Sequence, residues 1–169
     1  MTLKGATAMT IYTRILVPLE HSWADWAILA HVRPLARLCG ASLVLMHVAD
    51  GWAARHLKQL ALAESEELRA DREYLESLCA ELAREGFDAE GLLGAGDPAD
   101  EIVAAAARER CDLIAMATHG HGFLADVVYG SVADAVRHRS RVPVLLVRGE
   151  RRARSREDAG AAREVRGPP

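Results

Sequence analysis

Five short apolar runs alternate with longer segments of helical periodicity, and this alternation limits the possible folds more than any other feature. The run 42–48 is continuous and apolar, as expected for a strand that is buried on both faces, whereas 87–93 gives a weaker strand signal. The predicted strands cover residues 15–19, 42–48, 87–93, 112–117 and 142–147. Strands that alternate with helices in this way predict a single-domain α/β protein, with an open parallel sheet and helices on both faces.

Start and stop signals support the helices between these strands. Ser22 precedes the first helical segment as an N-cap and Gly40 ends it, while Pro34 should kink it. The second helical stretch, 54–85, is rich in charges that most simply form a solvated face. Asp97 and Pro98 open the third helix as cap and first residue, and the fourth is expected over 130–139.

Composition excludes several classes of protein. A net charge of −3 gives no general basic field for nucleic acid. No apolar run approaches the roughly 20 residues of a membrane helix, and the N-terminus does not have the pattern of a signal peptide. The three cysteines form no CxxC pair, which is typical of a reduced, intracellular protein. We therefore expect a cytoplasmic protein that binds neither nucleic acid nor membrane.

The two ends of the chain differ in composition from its centre. Residues 1–13 are polar and small, so we expect a flexible N-terminus, and Met9 could be the biological start instead of Met1. Residues 149–169 mix arginines with acidic residues and small residues and have almost no large aliphatic side chains, which predicts disorder. The acids in this tail argue against a nucleic-acid arm. The folded domain is thus expected over 14–148.

The expected ligand crevice of such a sheet lies at the carboxyl ends of its strands, where the strand order reverses. If the first and fourth strands flank that point, Pro18, Leu19 and Glu20 face residues 116–122 across the crevice. Glu20 could accept hydrogen bonds from ribose hydroxyls or hold a metal–phosphate. Val48 and Met116 could supply apolar walls for a purine.

A glycine-rich loop follows the fourth predicted strand. Gly120 and Gly122 have no Cβ atoms to keep a phosphate at a distance, and Gly130 and Ser131 begin the next helix. Ser131 could cap that helix and offer its hydroxyl and amide to an anion. The alternative is that the glycines serve only tight turns and that Ser131 is only a cap.

Catalysis has little support in the sequence. There is no GxSxG elbow, no GxxxxGK[ST] phosphate loop, and no Ser or Cys with an evident base partner. His119 and His121 have no third ligand at a spacing that suits a metal, and His47 is expected to be a hydrogen-bonded core histidine. Binding without designed turnover is the better inference, with no catalytic residue and no metal site.

Four segments of the chain resemble the universal stress proteins over roughly residues 13–148. They are Ile15-Leu16-Val17-Pro18, Leu45-Met46-His47-Val48, Gly96-Asp97-Pro98 and the block from Asp112 to Val147. The resemblance implies an adenine nucleotide alpha hydrolase-like sheet of order 3-2-1-4-5. It also implies a homodimer, often formed through the final strand, here Val142 to Val147.

Nucleotide-binding members of that family carry the pattern G-x2-G-x9-G-[ST]. Gly120, Gly130 and Ser131 match it, but Ala117 stands at the first glycine, and Glu20 stands where the family commonly has Asp. The pocket that the resemblance implies comprises Pro18, Leu19, Glu20, Val48, Met116, Ala117, Gly120, His121, Gly122, Gly130, Ser131 and Val132.

Two functional hypotheses follow from this resemblance. The first is a stress-response protein that binds ATP or another adenine nucleotide, with which Mg²⁺ could come, and that has at most slow hydrolysis. The second is a dimeric interaction or signalling module of the same family that does not bind nucleotide.

Overall fold

The computed structural model describes residues 10–50, 66–119 and 130–149, which form five strands and four helices. The strands are β1 (Arg14–Leu19), β2 (Ser42–Asp50), β3 (Ala89–Gly96), β4 (Leu113–His119) and β5 (Val144–Gly149). The helices are α1 (Trp23–Cys39), α2 (Glu66–Arg84), α3 (Pro98–Arg108) and α4 (Ser131–Arg139).

The five strands form one parallel sheet in the order β3-β2-β1-β4-β5, so the predicted fold class and strand order are confirmed. The chain moves outward from β1 to β3 and then crosses to the other side of β1. The strand order therefore reverses between β1 and β4, and the ends of these strands mark the expected ligand crevice.

Alternate residues of the strands enter two separate cores, one on each face of the sheet. Ile15, Val17 and Leu45 pack on one face with α1 and α2. Leu16 and Met46 pack on the other face with α3 and α4. Because both faces are covered, the middle of each central strand is apolar at consecutive positions, as in residues 43–46 of β2, which explains the continuous runs in the sequence.

The cap signals predicted for α1 and α3 are present. Ser22 accepts from the Ala24 amide as part of a capping box, and Gly40 ends α1 in the left-handed conformation with a φ of 66°. Asp97 accepts from the Asp100 amide at the start of α3, where proline occupies the first turn. Helix α1 continues through Pro34 to Cys39, so this proline does not end it.

Several local predictions were wrong in detail, and strand β3 spans Ala89–Gly96 instead of the predicted 87–93. The final strand begins at Val144, two residues later than predicted, because a turn precedes it in which the Ser140 hydroxyl bonds both backbone groups of Val142. Strand β4 runs two residues further, to His119. Ser131 does not cap α4: it is the first helical residue, and Gly130 occupies the cap position without a side-chain bond.

Several expectations fall on residues outside the described ranges, namely the flexible N-terminus up to Met9, residues 54–65 of the second helical stretch, the loop 120–129 and the tail from 150 onward. Cys39, Cys79 and Cys111 are all free thiols. None of the helices in the described ranges is both long and apolar enough to cross a membrane.

Candidate functional site

A cavity of about 560 Å³ lies at the carboxyl ends of β1, β2 and β4, where the strand order reverses. Its volume lies within the roughly 300–1,000 Å³ that is usual for small-molecule sites. Helices α1, α2, α3 and α4 each add side chains to its wall. The described lining residues are Pro18, Leu19, Glu20, Asp25, Met46, His47, Val48, Ala49, Leu68, Asp71, Pro98, Ile102, Met116, Ala117 and Val132.

The cavity brings together seven of the twelve residues that the sequence analysis assigned to a pocket. These are Pro18, Leu19, Glu20, Val48, Met116, Ala117 and Val132. Gly130 and Ser131 lie next to Val132 at the start of α4 and are exposed, but they are not among the lining residues. Gly120, His121 and Gly122 lie outside the described residues.

The apolar part of the wall comes from two neighbouring layers of the fold. Met46 and Met116, from β2 and β4, are buried in the core on the α3 and α4 face of the sheet. Ile102 of α3 packs with them, and Val48 and Val132 are partly buried against the same cluster. Flexible methionines beside branched aliphatic side chains form an apolar surface that can adapt to a flat ring.

Asp25 fixes the connection between β1 and α1, which carries Glu20. This aspartate is 3% exposed and lies in the first turn of α1. Its carboxylate accepts from the backbone N–H groups of Glu20 and Ser22, both at 3.0 Å, and from the Tyr74 hydroxyl at 2.9 Å. Burial, together with the nearby Asp25 carboxylate, raises the pKa of Tyr74 well above its ordinary value, so this hydroxyl remains a donor. Asp25 thereby links the loop between β1 and α1, called the site loop below, to helix α2.

Asp71 of α2 makes a second polar link to the same edge of the sheet. Its Oδ1 lies 3.1 Å from Nδ1 of His21, and its Oδ2 lies 3.3 Å from Nε2 of His47. The other ring nitrogen of His47, Nδ1, lies 3.0 Å from the Leu19 carbonyl oxygen. The His21 ring in turn stacks on the Tyr74 ring with centroids 4.0 Å apart.

The sequence analysis predicted Glu20 in this wall but missed the other polar lining residues, Asp25, His47 and Asp71. It assigned the charges of the second helical stretch to a solvated face, but Asp71 is only 7% exposed and faces the cavity. His47 is hydrogen-bonded, as predicted, yet it also lines the cavity. Its position directly before Val48, at the carboxyl end of a predicted strand, was the signal that could have placed it there.

The charge of the described wall is mainly negative. Glu20, Asp25 and Asp71 contribute carboxylates, and His47 is the one basic side chain among the described lining residues. Carboxylates accept hydrogen bonds, so this side of the cavity suits the hydroxyl and amino groups of a ligand. No three His, Cys, Asp or Glu side chains within the described ranges are grouped so that they could hold a metal ion.

Comparison with known proteins gives a consistent assignment. The model of the "Universal stress protein family" matches residues 11–148. Universal stress protein MJ0577 of Methanocaldococcus jannaschii is 28% identical over 155 residues, which cover 82% of this chain and 96% of that protein. The solved structure of MJ0577 has a TM-score of 0.67 at 29% identity and covers 83% of this chain and 98% of that one.

Two further solved structures share the fold and contain adenine nucleotides. The Archaeoglobus fulgidus universal stress protein in complex with dAMP has a TM-score of 0.60 at 23% identity, over 81% of this chain and 98% of that chain. A universal stress protein in complex with cAMP has a TM-score of 0.58 at 22% identity, over 82% and 98%. At these identities the likeness is one of fold.

Proposed function

The chain belongs to the universal stress protein family, and from this membership we propose that it is a stress-response protein that binds an adenine nucleotide in the cavity at the ends of β1, β2 and β4. ATP is the nucleotide that the family pattern favours, and Mg²⁺ would accompany its phosphates. The fold relatives that hold dAMP and cAMP support an adenine nucleotide as the class of ligand.

The observation that carries this proposal is the division of the cavity wall into an apolar part and an acceptor-rich part. Met46, Val48 and Met116 form the part that would pack against the base. Glu20, whose backbone is held by Asp25, presents a carboxylate that could accept from ribose hydroxyls. The phosphates would then extend toward the N-terminus of α4, where free backbone N–H groups favour anions.

Little or no turnover is the second part of the proposal. Phosphoryl transfer requires positive groups that neutralise the charge developing on the transferred phosphoryl oxygens. Neither lysine nor arginine is found among the described residues of the cavity wall, and the glycine loop between β4 and α4 contains no lysine. Both observations favour a protein that holds its nucleotide over one that hydrolyses it rapidly.

The competing function is a dimeric interaction module without nucleotide, and Ala117 is the observation that favours it. Ala117 lines the cavity from β4 at the position where the family's binding pattern has glycine. Its methyl group occupies space that a closely approaching nucleotide would need. If the Ala117 methyl group makes the cavity too narrow for a nucleotide, the protein would function only by binding other proteins through its surface.

Titration calorimetry with ATP, ADP, AMP and cAMP, each with and without Mg²⁺, separates the two functions. We expect binding of at least one of them to the wild type, and an affinity about tenfold lower for Ala117→Leu, whose side chain fills the cavity. Ala104→Leu on the exposed face of α3 is the matched control and should bind like the wild type. Absence of binding at millimolar nucleotide would overturn the proposal in favour of the interaction module.

We further propose a homodimer that pairs through β5, in a cytoplasmic protein. β5 lies at the edge of the sheet, so one of its sides has no neighbouring strand among the described residues. Exposed edges of this kind commonly pair with a second copy. Sedimentation equilibrium should give twice the 18.3 kDa chain mass, and a monomer at all accessible concentrations would contradict the dimer.

A further inference from the structure

His47 makes two contacts that together determine how many protons its ring carries. Nδ1 lies 3.0 Å from the Leu19 carbonyl oxygen. A carbonyl oxygen only accepts, so Nδ1 must carry a hydrogen and donate it. A neutral imidazole has one N–H group, and that hydrogen is thereby committed to Leu19. In the neutral ring, Nε2 would then be a lone-pair acceptor.

That second nitrogen, however, faces a carboxylate. Nε2 lies 3.3 Å from Oδ2 of Asp71, and the two side chains are only 14% and 10% exposed. Two acceptors at this separation repel each other, and the partial burial of both side chains weakens the screening of that repulsion by solvent. The contact is favourable only if Nε2 carries an additional proton, which makes the ring a cation beside the carboxylate. Imidazole is the stronger base of the pair, so the proton belongs on Nε2.

Within the described ranges, the other contact of Asp71 does not supply that proton. His21 Nδ1 lies 3.1 Å from Oδ1, the other carboxylate oxygen, and a neutral His21 ring can donate there without further protonation. Among the described residues, the other titratable groups that line the cavity with His47 are Glu20, in the loop between β1 and α1, and Asp25 on α1, while Tyr74 of α2 stacks on His21. Tyr74 donates to Asp25 and not to Asp71. On the β3 side, the register neighbour of His47 is the uncharged Leu93.

We infer that His47 is a positioning residue, and that as an imidazolium it holds Asp71, and with it helix α2, against the cavity. The inference rests on the proposed nucleotide site and adds a pH dependence to it. When the pH rises and Nε2 loses its proton, the attraction becomes a repulsion between two acceptors. The α2 wall, which contributes Leu68 and Asp71, then loosens, and ligand affinity falls.

Asp71→Asn provides the decisive variant. The asparagine side chain has nearly the same shape as the aspartate, but its contact with His47 no longer requires a second proton on the imidazole ring. The asparagine amide can donate N–H to an unprotonated Nε2, while its oxygen still accepts from His21. The variant therefore needs no additional proton and should hold α2 equally well at low and high pH. Glu73→Gln is the matched control, because Glu73 lies on the same helix, is 69% exposed and, among the described residues, forms an ion pair with Arg69 alone.

The first measurement requires no ligand. Nitrogen-15 NMR of the imidazole rings at about pH 6 should show both ring nitrogens of His47 protonated in the wild type. At each pH, the exchange rates of the α2 backbone amides are compared between the wild type and Asp71→Asn. The ratio of the wild-type rate to the variant rate should increase as the pH rises to about 8.5. A His47 ring with an unprotonated Nε2 at pH 6 would overturn the inference, as would α2 exchange that has the same pH profile in both proteins.

The second measurement follows binding of cAMP, whose phosphodiester does not titrate in this range. We expect wild-type and Glu73→Gln affinity to fall about tenfold between about pH 6 and pH 8.5, while Asp71→Asn stays nearly constant. Parallel profiles for wild type and Asp71→Asn would contradict the inference. If cAMP and the other nucleotides bind at no pH, the proposed function fails, while the NMR and exchange results still decide the protonation of His47.

Discussion

Replacing Asp25 by alanine should destabilise the protein far more than the loss of an ordinary surface carboxylate. The side chain is 3% exposed and accepts hydrogen bonds from two backbone N–H groups and from the Tyr74 hydroxyl. Each of these part-buried donors would lose a charged acceptor, at a cost of about 1 kcal/mol or slightly more. The sum is about 3–4 kcal/mol, a large fraction of the stability of a typical domain.

Urea unfolding, followed by circular dichroism, measures this loss. With a slope of about 1.5–2 kcal/mol per molar urea, the midpoint should fall by about 2 M. Ser22→Ala, which removes the N-cap hydrogen bonds of the Ser22 hydroxyl to the first turn of α1, should cost about 1 kcal/mol. Asp100→Ala, which breaks an exposed pair with Arg139, should cost less than about 1 kcal/mol.

A double-mutant cycle with Tyr74→Phe tests the reasoning itself. Tyr74→Phe should cost about 1 kcal/mol in the wild type and much less in the Asp25→Ala background, because the acceptor is already gone. If Tyr74→Phe lowered the free energy of unfolding equally in both backgrounds, the hydrogen bond between Tyr74 of α2 and Asp25 of α1 would not stabilise the protein, and the reasoning would be refuted. An Asp25→Ala loss no greater than that of Ser22→Ala would refute the proposed role of Asp25 in holding the site loop.

Three further predictions concern single residues. Gly40→Ala should cost about 1 kcal/mol in urea unfolding because φ is +66° there, although the added Cβ meets nothing within 4 Å; a neutral result would contradict this. Burial alone would raise the pKa of Asp112, but hydrogen bonds from the Thr13 hydroxyl and nearby backbone amides lower it below its ordinary value. Its folded-state pKa lies below its unfolded one, so its contribution to stability is present above about pH 4 and is lost as the pH falls. Asp112→Asn should therefore flatten acid unfolding in that range, and an unchanged acid profile would count against the assignment. Burial raises the pKa of Cys111 to about 11, so a thiol reagent at about pH 8 should leave Cys111 unmodified in the native protein and label all three cysteines in urea; rapid native labelling of Cys111 would contradict its burial.

Local patterns in the sequence were sufficient to predict the alternation of strands and helices around a parallel sheet, whereas the strand order followed from the family resemblance. Burial on both faces of the sheet requires apolar residues at consecutive positions, so the central strands are recognisable without any tertiary information. The Ser22 and Asp97 caps and the Gly40 stop act through hydrogen bonds and φ angles within a few residues, and each was predicted from its local sequence. The final strand was misplaced by two residues because hydrophobicity does not reveal the turn around Ser140.

The apolar half of the site was predictable for the same reason, since Pro18, Val48 and Met116 follow or end predicted strands whose carboxyl ends meet at one edge. Of the polar lining residues, Glu20 was predicted in the same way, but the others were placed only by the tertiary structure. Asp71 lies 24 positions after His47 along the chain and reaches it because α2 packs across that edge of the sheet. In a helix rich in charged residues, an acid that faces the core looks the same as one that faces water. Only the packing of α2 gives Asp71 its two imidazole partners, and that packing makes the proton on His47 part of the site.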